Sequence, residues 1–354
     1  SQLAAVLRAH LVNLARRTQL LAGIEEQAYI DIDSLLRPVY GRAKQGASFG
    51  HTKIAGRQVL RRGLSPLAAT ISTPVAAPVV AGIRLRAGKA GSGRGADSMV
   101  TEAVKTAREG GATGKILVRG DSAFGTGAVA TACLKAGVQF SLVLTKNRAV
   151  TRAIATIPQD TWQPVHYSGA VLDPDTGELI SDAEVAEVMF TAFASTKHPV
   201  TARLIVRRVR DRAKLEELFP VWRYHPFLTN SEEPTAAADI THRRHAIIET
   251  VFADLIDGPL AHLPSGRFAA NSAWAICAAM THNLLRAAGT LASPQHAVAR
   301  GATLRRQIVN DPVRIARPQR RRVLHLPTHW PWADYWMALW HGVFVTATGP
   351  PATA

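Results

Sequence analysis

The sequence predicts an α/β fold, and three observations carry that prediction. Strand-like and helix-like patterns alternate between residues 97 and 145. The run Lys115-Ile116-Leu117-Val118-Arg119 is apolar without alternation, the signature of a strand buried on both faces. The 354-residue chain is 47% hydrophobic, enough for a large core. A strand–helix–strand order joins parallel strands through crossovers, so a core with parallel strands follows.

The elements read in order. Residues 1–25 form an amphipathic helix, with Leu3, Val6, Leu7, Leu11, Leu14 and Leu20 at helical spacing. Tyr29-Ile30-Asp31-Ile32-Asp33 is a strand whose alternation puts Asp31 and Asp33 on one face and both isoleucines on the other. A glycine-containing stretch spans 41–56, and 66–72 and 79–85 are extended. Asp97 or Ser98 caps a helix that runs to Arg108 and ends at Gly110 and Gly111. After the strand at 115–119 come Gly120-Asp121-Ser122, a helix at 126–136 and a strand at 138–145. Residues 150–225 differ in character, with the turn signal Asp173-Pro174-Asp175-Thr176-Gly177 and strand-like runs at 185–193 and 200–209, and read as a β-rich insertion. The remainder is mainly helical, at 239–257, 270–288 and 294–308, before a tail at 311–344 rich in Pro, Arg and Trp. No internal repeat is present.

Composition narrows the function classes. Lys and Arg number 42 against 26 acidic residues, a net charge of +16, which points to a polyanionic partner and first to nucleic acid. A genome rich in Arg and Ala codons is the bland alternative. Cys133 and Cys277 have no partners at metal spacing and read as small core residues of a reducing compartment, against structural zinc or a disulfide framework. The most apolar stretch, 66–83, is broken by Pro74 and Pro78, so no membrane span is expected and the chain is placed in the cytoplasm.

Acidic residues sit where chemistry, rather than packing, explains them. A carboxylate at the end of a buried strand needs a partner or a metal. Asp31 and Asp33 are one such case and Asp121 another, and sites in α/β sheets form at the carboxyl ends of strands. Strand-end Asp residues also serve as turn or cap residues. Glu249 lies on the helix from Asp239, where Ile248, Val251, Phe252 and Leu255 form the core face while His242, His245 and Glu249 share a neighbouring face. Together these carboxylates suit two magnesium ions, with manganese as a substitute, which activate a water or a 3′-hydroxyl and stabilise a leaving oxygen.

The chain resembles DDE-type insertion-sequence transposases of the cut-and-paste group. The resemblance spans nearly the whole chain. It rests on Tyr29-Ile-Asp-Ile-Asp33-Ser34, Tyr40-Gly-Arg-Ala-Lys-Gln-Gly46 and Ile116-Leu-Val-Arg-Gly-Asp121-Ser-Ala-Phe124, then on His242-Arg-Arg-His-Ala-Ile-Ile-Glu249, Leu263-Pro-Ser-Gly-Arg-Phe-Ala-Ala-Asn271, His282-Asn-Leu-Leu-Arg286 and His329-Trp-Pro-Trp332. It implies an RNase H-like mixed sheet flanked by helices. The first Asp then lies on the first core strand, the second just after the fourth and the Glu on a late helix, giving Asp33, Asp121 and Glu249, with Asp31 as an alternative metal ligand. The implied organisation is an N-terminal helical segment at 1–28 that ends an upstream DNA-binding region, a catalytic core at 29–147 and 229–290, a β-rich insertion domain at 148–228 and a basic C-terminal segment at 291–354. The implied activity is cleavage at element ends and strand transfer into target DNA, by a nucleoid-associated protein acting as a homodimer on paired ends. Many relatives carry Tyr-x-x-Arg-x-x-x-Glu where this chain has His242, His245 and Glu249.

Candidate contacts to double-stranded DNA are His242, Arg243, Arg244, His245, Arg207, Arg208, Arg305 and Arg306, with further Arg residues at 203, 210, 212 and 314–322. Trp162 is a candidate stacking residue or a core residue. Besides an RNase H-like nuclease without strand transfer, two rival readings remain open. Gly125-Thr126-Gly127-Ala128-Val129-Ala130 fits a Gly-x-Gly-x-x-Ala nucleotide loop, although no acidic residue follows about twenty residues on. A decayed or domesticated transposase acting as a DNA-binding protein is the other.

Overall fold

β1 (Gln27–Ser34) runs through the interior of a nine-stranded sheet, and the rest of the molecule is arranged around it. The computed structural model describes residues 2–41, 43–54, 57–167, 183–210 and 221–344. Helix α1 (Gln2–Arg17) precedes β1 and is shorter than the predicted 1–25, because Thr18 turns back on it: its hydroxyl donates to the Leu14 carbonyl at 2.8 Å and accepts from the Leu20 amide. β2 (Arg37–Pro38), β3 (Ser48–Ile54) and β4 (Arg57–Leu64) form a small separate sheet within the stretch read only as glycine-containing. Its outward Phe49 and Leu60 are exposed, so the one-sided burial that produces alternation is missing there.

β5 (Leu67–Ser72) and β6 (Val79–Arg84) pair antiparallel beside β1. Helix α2 (Ala96–Glu109) crosses one face, then β7 (Lys115–Gly120) pairs parallel with β1 on its other side. Helix α3 (Gly127–Lys135) leads to β8 (Gln139–Val143), parallel to β7. The order β6-β5-β1-β7-β8 makes β7 the fourth strand of the five-stranded core in chain order, so Asp121 directly follows that strand. The α2 helix is not capped by Asp97 or Ser98. It starts at Ala96 behind a left-handed Gly95, and Ser98 donates to the Gly95 carbonyl instead.

The segment 148–228 is rich in strands, and those strands continue the core sheet. After helix α4 (Arg148–Ala155), β9 (Gln163–Pro164), β10 (Ala183–Ala192), β11 (Val200–Arg210) and β12 (Trp222–Thr229) follow. β12 zips antiparallel onto β8 through Phe227–Val143, Leu228–Leu142 and Thr229–Ser141. The turn signal at 173–177 lies outside the described residues.

The predicted helix 239–257 is two helices. α5 (Thr235–Arg243) and α6 (Ile247–Ile256) are separated by a tight turn at Arg244–Ala246. Side chains take the carbonyls that would have continued the helix: Arg119 Nη1 donates to the Thr241 carbonyl at 2.8 Å, and the His245 ring lies 2.8 Å from the His242 carbonyl through Nδ1. α7 (Phe268–Ala292) backs α6, and its Asn283 serves β6 as a surrogate strand, accepting from Val80 N at 2.8 Å and donating to Val80 O at 2.9 Å. The predicted helix 294–308 breaks at Ala299 and Arg300, both extended.

Two apolar clusters hold helices to both faces of the sheet. Ile30, Ile32 and Val118 pack with Met99, Val100 and Val129 of α2 and α3. Ala68, Val80 and Ile83 pack with Ile248, Val251, Phe252 and Leu255 of α6, and with Ala275, Ile276 and Ala279 of α7. Cys133 is buried as expected. Cys277 is exposed, because the long α7 turns that position to solvent.

Candidate active site

Asp33 and Asp121 each lie two residues beyond a single buried ion pair. Asp31 and Arg119 are direct partners in the parallel register of β1 and β7. Arg119 grips Asp31 with two bonds, Nε–Oδ1 at 2.7 Å and Nη2–Oδ2 at 2.8 Å, and stacks on the Tyr29 ring at 4.4 Å. Both residues are fully buried, and burial outweighs the guanidinium in pushing the Asp31 carboxyl up from its ordinary value. With both oxygens taken, Asp31 is withdrawn as an alternative metal ligand. Because Arg119 also holds the end of α5, it ties together both strands and the approach to the helix that carries Glu249. The sequence signal was present: an Asp and an Arg at matching places in two inward-reading strands.

Beyond this pair the chain opens to solvent. Asp33 is partly buried at the end of β1 and accepts its neighbour's amide, Ser34 N, at 2.5 Å. Asp121 is exposed after β7 and closes a turn by accepting from Ala123 N at 2.9 Å. Gly120 lets that turn pass close to β1, since a Cβ there would lie 3.0 Å from Phe124 Cβ and 3.2 Å from Ile32. Glu249 is exposed in the first turn of α6, which packs over β1. Burial pushes Asp33 up to about 7, and the charges of Asp121 and Glu249 push the same way. Among the described residues no group of three or more His, Cys, Asp or Glu side chains is placed to hold a metal ion as it stands, and Asp33, Asp121 and Glu249 form an open acidic patch.

The predicted DNA contacts divide. Arg207, Arg243 and His245 line one cleft of about 320 Å³ together with Lys146 and His225, two cationic or titratable residues not singled out in the sequence. Burial and the surrounding Arg207, Lys146, Arg223 and Arg243 lower the His225 pKa, a sign of dense positive potential. Arg243 lies over the Tyr167 ring at 4.2 Å, and Tyr167 donates to Asp239 at 2.5 Å. Arg244 is exposed.

His242 does not fit a phosphate-contacting role. It is buried, stacked on Phe227 at 4.2 Å, and its Nδ1 lies 2.8 Å from Ser141 Oγ. Burial, and then the nearby His245, Arg119 and Arg207, hold its pKa well below 6.5, so it is neutral. Arg208 is also structural. It pairs with Glu184 at 2.6 Å, donates to Gln159 at 2.8 Å, and is sandwiched between Trp162 and Trp222. Trp162 is thereby occupied. Alternation had put Arg203 and Arg207 on one face of β11, but Arg203 is held by Glu187 and by the Ser231 and Glu233 carbonyls. Arg305 pairs with Asp257 at 2.7 Å, and Arg306 is exposed.

The nucleotide-loop reading of 125–130 is not supported. A Cβ at Gly125 would lie 1.9 Å from the Val143 carbonyl, and one at Gly127 would lie 2.7 Å from the His198 carbonyl. These glycines admit neighbouring backbone, and the space before α3 holds protein.

Two segments of the resemblance meet beside the core. Lys44 donates to the Leu263 carbonyl, Gln45 N donates to the Gly266 carbonyl at 2.9 Å, and Gln45 Oε1 accepts from Phe268 N at 3.1 Å.

A mixed sheet of this order, with helices on both faces and an acidic patch at the ends of its first and fourth core strands, defines an RNase H-like protein of the DDE class. The family model for the transposase DDE domain, group 1, matches residues 14–343, and the chain belongs to that family of transposases. Comparison with curated proteins gave no match. Among the described residues no helix is long and apolar enough to cross a membrane.

Proposed function

We propose that this transposase cleaves DNA at the ends of an insertion sequence and joins the freed 3′ ends to target DNA, using magnesium held by Asp33, Asp121 and Glu249. The observation that carries the reading is the placement of Asp33 within reach of Asp121 and Glu249, whose negative charges repel its carboxylate and add to the burial that raises it to about 7. A divalent cation with a preference for oxygen relieves that repulsion, and the donor set fits magnesium or manganese. Bound there, such ions supply Lewis-acid stabilisation of the attacking and leaving oxygens.

The protein's own residues do the rest. Asp33 gives up its proton to become a ligand. Arg119 fixes the two strands whose ends carry Asp33 and Asp121. Arg207, Arg243, Lys146 and His245 offer phosphate contacts in the cleft beside α5, positioning the backbone without reading sequence. A homodimer on paired ends is part of the same proposal and follows from the resemblance.

The test is Asp121→Asn assayed on a labelled duplex bearing an element end. Magnesium-dependent cleavage is expected to disappear while DNA affinity stays within about twofold. Cleavage that survives the substitution overturns the assignment. A wild-type chain that binds DNA but never cuts it would instead be a decayed transposase retained for binding.

A further inference from the structure

We propose that the hairpin at residues 314–325 is a DNA-binding ribbon that enters the major groove, at a place distinct from the acidic patch. The inference rests on the reading that this chain handles duplex DNA, and it adds where and how the duplex is gripped.

Two short strands, Arg314–Ala316 and Val323–His325, pair antiparallel as an isolated two-stranded sheet. Their side chains alternate, so Arg314, Ala316, Val323 and His325 share one face while Ile315 and Leu324 share the other. Neither face is covered: Ile315 is 63% exposed and Val323 36%. A lone hairpin with two wet faces is marginal in water and gains stability from a partner.

The chemistry of that partner follows from the charge. Arg314, Arg317, Arg320, Arg321 and Arg322 are all exposed, and none pairs with an acidic side chain among the described residues. No acidic residue occurs between Asp311 and Asp334. A second copy of this surface would meet it with like charge, so the complementary surface is a polyanion.

The tip has a set shape. Arg321 N donates to the Pro318 carbonyl at 2.9 Å, and the residues between, Gln319 and Arg320, have φ of 51° and 66°. Two successive left-handed residues make a tight turn that keeps the ribbon twisted, although neither is glycine. Each costs about 1–2 kcal/mol against an ordinary conformation. A two-stranded ribbon fits the major groove of B-form DNA, which is about 12 Å wide.

The segment that leads into the hairpin is anchored to the helix of Glu249. Arg300 pairs with Asp254 at 2.7 Å and Arg305 with Asp257 at 2.7 Å, both acids lying on or next to α6. DNA held by the ribbon is therefore tethered through two ion pairs to the element that carries one of the acids.

The experiment measures binding of the full chain to a 40-base-pair duplex, and to one of its strands alone, by fluorescence anisotropy across a salt series. The variant is Arg317→Gln/Arg320→Gln/Arg321→Gln, and a charge-matched control is Arg17→Gln/Lys115→Gln/Lys135→Gln. All six positions are exposed, so both variants are expected to melt with the wild type. The hairpin variant should lose tenfold or more in duplex affinity, and its slope of log K against log salt should flatten by about 2–3, near 0.9 per phosphate contact removed. Methylating guanine N7, which lines the major groove, should weaken the wild type and leave the variant unchanged. Equal losses in the control reduce the effect to bulk charge and overturn the proposal, as does equal affinity for the single strand. Magnesium-dependent cleavage at saturating DNA reports separately on the acidic patch. Its absence with the ribbon effect intact sinks the proposed reaction alone, and its presence with unchanged binding in the hairpin variant sinks the ribbon alone.

Discussion

Asp33 ionises against the cost of its own burial, to which the charges of Asp121 and Glu249 add. Its pKa of about 7 against an ordinary 3.8 means that between those pH values the folded chain holds a proton the unfolded chain has released. The stability contributed by this group is fully present below pH 4 and is lost as pH rises through 7. Metal-free Asp33→Asn should therefore melt higher than wild type at pH 8, with the gap closing as the pH is lowered to 4, as read by thermal scans in matched buffers; equal melting points at pH 8 would show that the Asp33 carboxylate carries no penalty in its site. The same proton competes with the metal. Magnesium affinity is expected to climb between pH 6 and 8 and then level, with proton release measurable by titration calorimetry in buffers of different ionisation enthalpy. Arginines sort by the same residue-level logic. Arg208→Ala should lower the melting temperature, whereas Arg207→Gln should leave it unchanged and weaken DNA binding about three- to tenfold, a fraction of what a good charged contact contributes.

At the scale of elements, the Asp31–Arg119 pair joins β1, β7 and α5. Removing one partner strands a buried charge, and Arg119→Met is expected to cost about 3–5 kcal/mol in chemical denaturation. The double variant Asp31→Leu/Arg119→Met should recover much of that loss, and strictly additive losses would show that the pair is not a unit. Asn283→Ala leaves the Val80 amide and carbonyl unpaired at the sheet edge and should cost about 1–3 kcal/mol. Which elements were legible follows from their surroundings. β7 is buried on both faces and declared itself by an unbroken apolar run. β12 did not, because Pro226 interrupts its pattern, yet Pro226 still supplies its carbonyl to Leu144 N. The junction between α5 and α6 was invisible because the contact that meets it comes from Arg119, more than a hundred residues away.

At the scale of the molecule, the positive charge foretold a polyanion but not which arginines face it. Arg86, Arg119, Arg208 and Arg286 are buried and occupied with carbonyls, hydroxyls or carboxylates. The three acids were legible because each sits at an unprotected strand or helix end. The gap between Asp121 and Glu249 was legible too, but not that it is filled by widening one sheet. Since β12 pairs directly with β8, the strands of 148–228 should melt with the core in one calorimetric transition, and two resolved transitions would show that they fold separately.

The two-residue step from the buried ion pair to each strand-end acid has a consequence for how this protein can change over time. Chain length here is as constrained as residue type. Deleting Gly120 would leave Asp31 gripping Arg119 and the core intact, while turning the acid after β7 to the opposite face of the sheet. Libraries of single-residue insertions and deletions should find these two strand ends barren, and lineages that keep the reaction should keep both lengths.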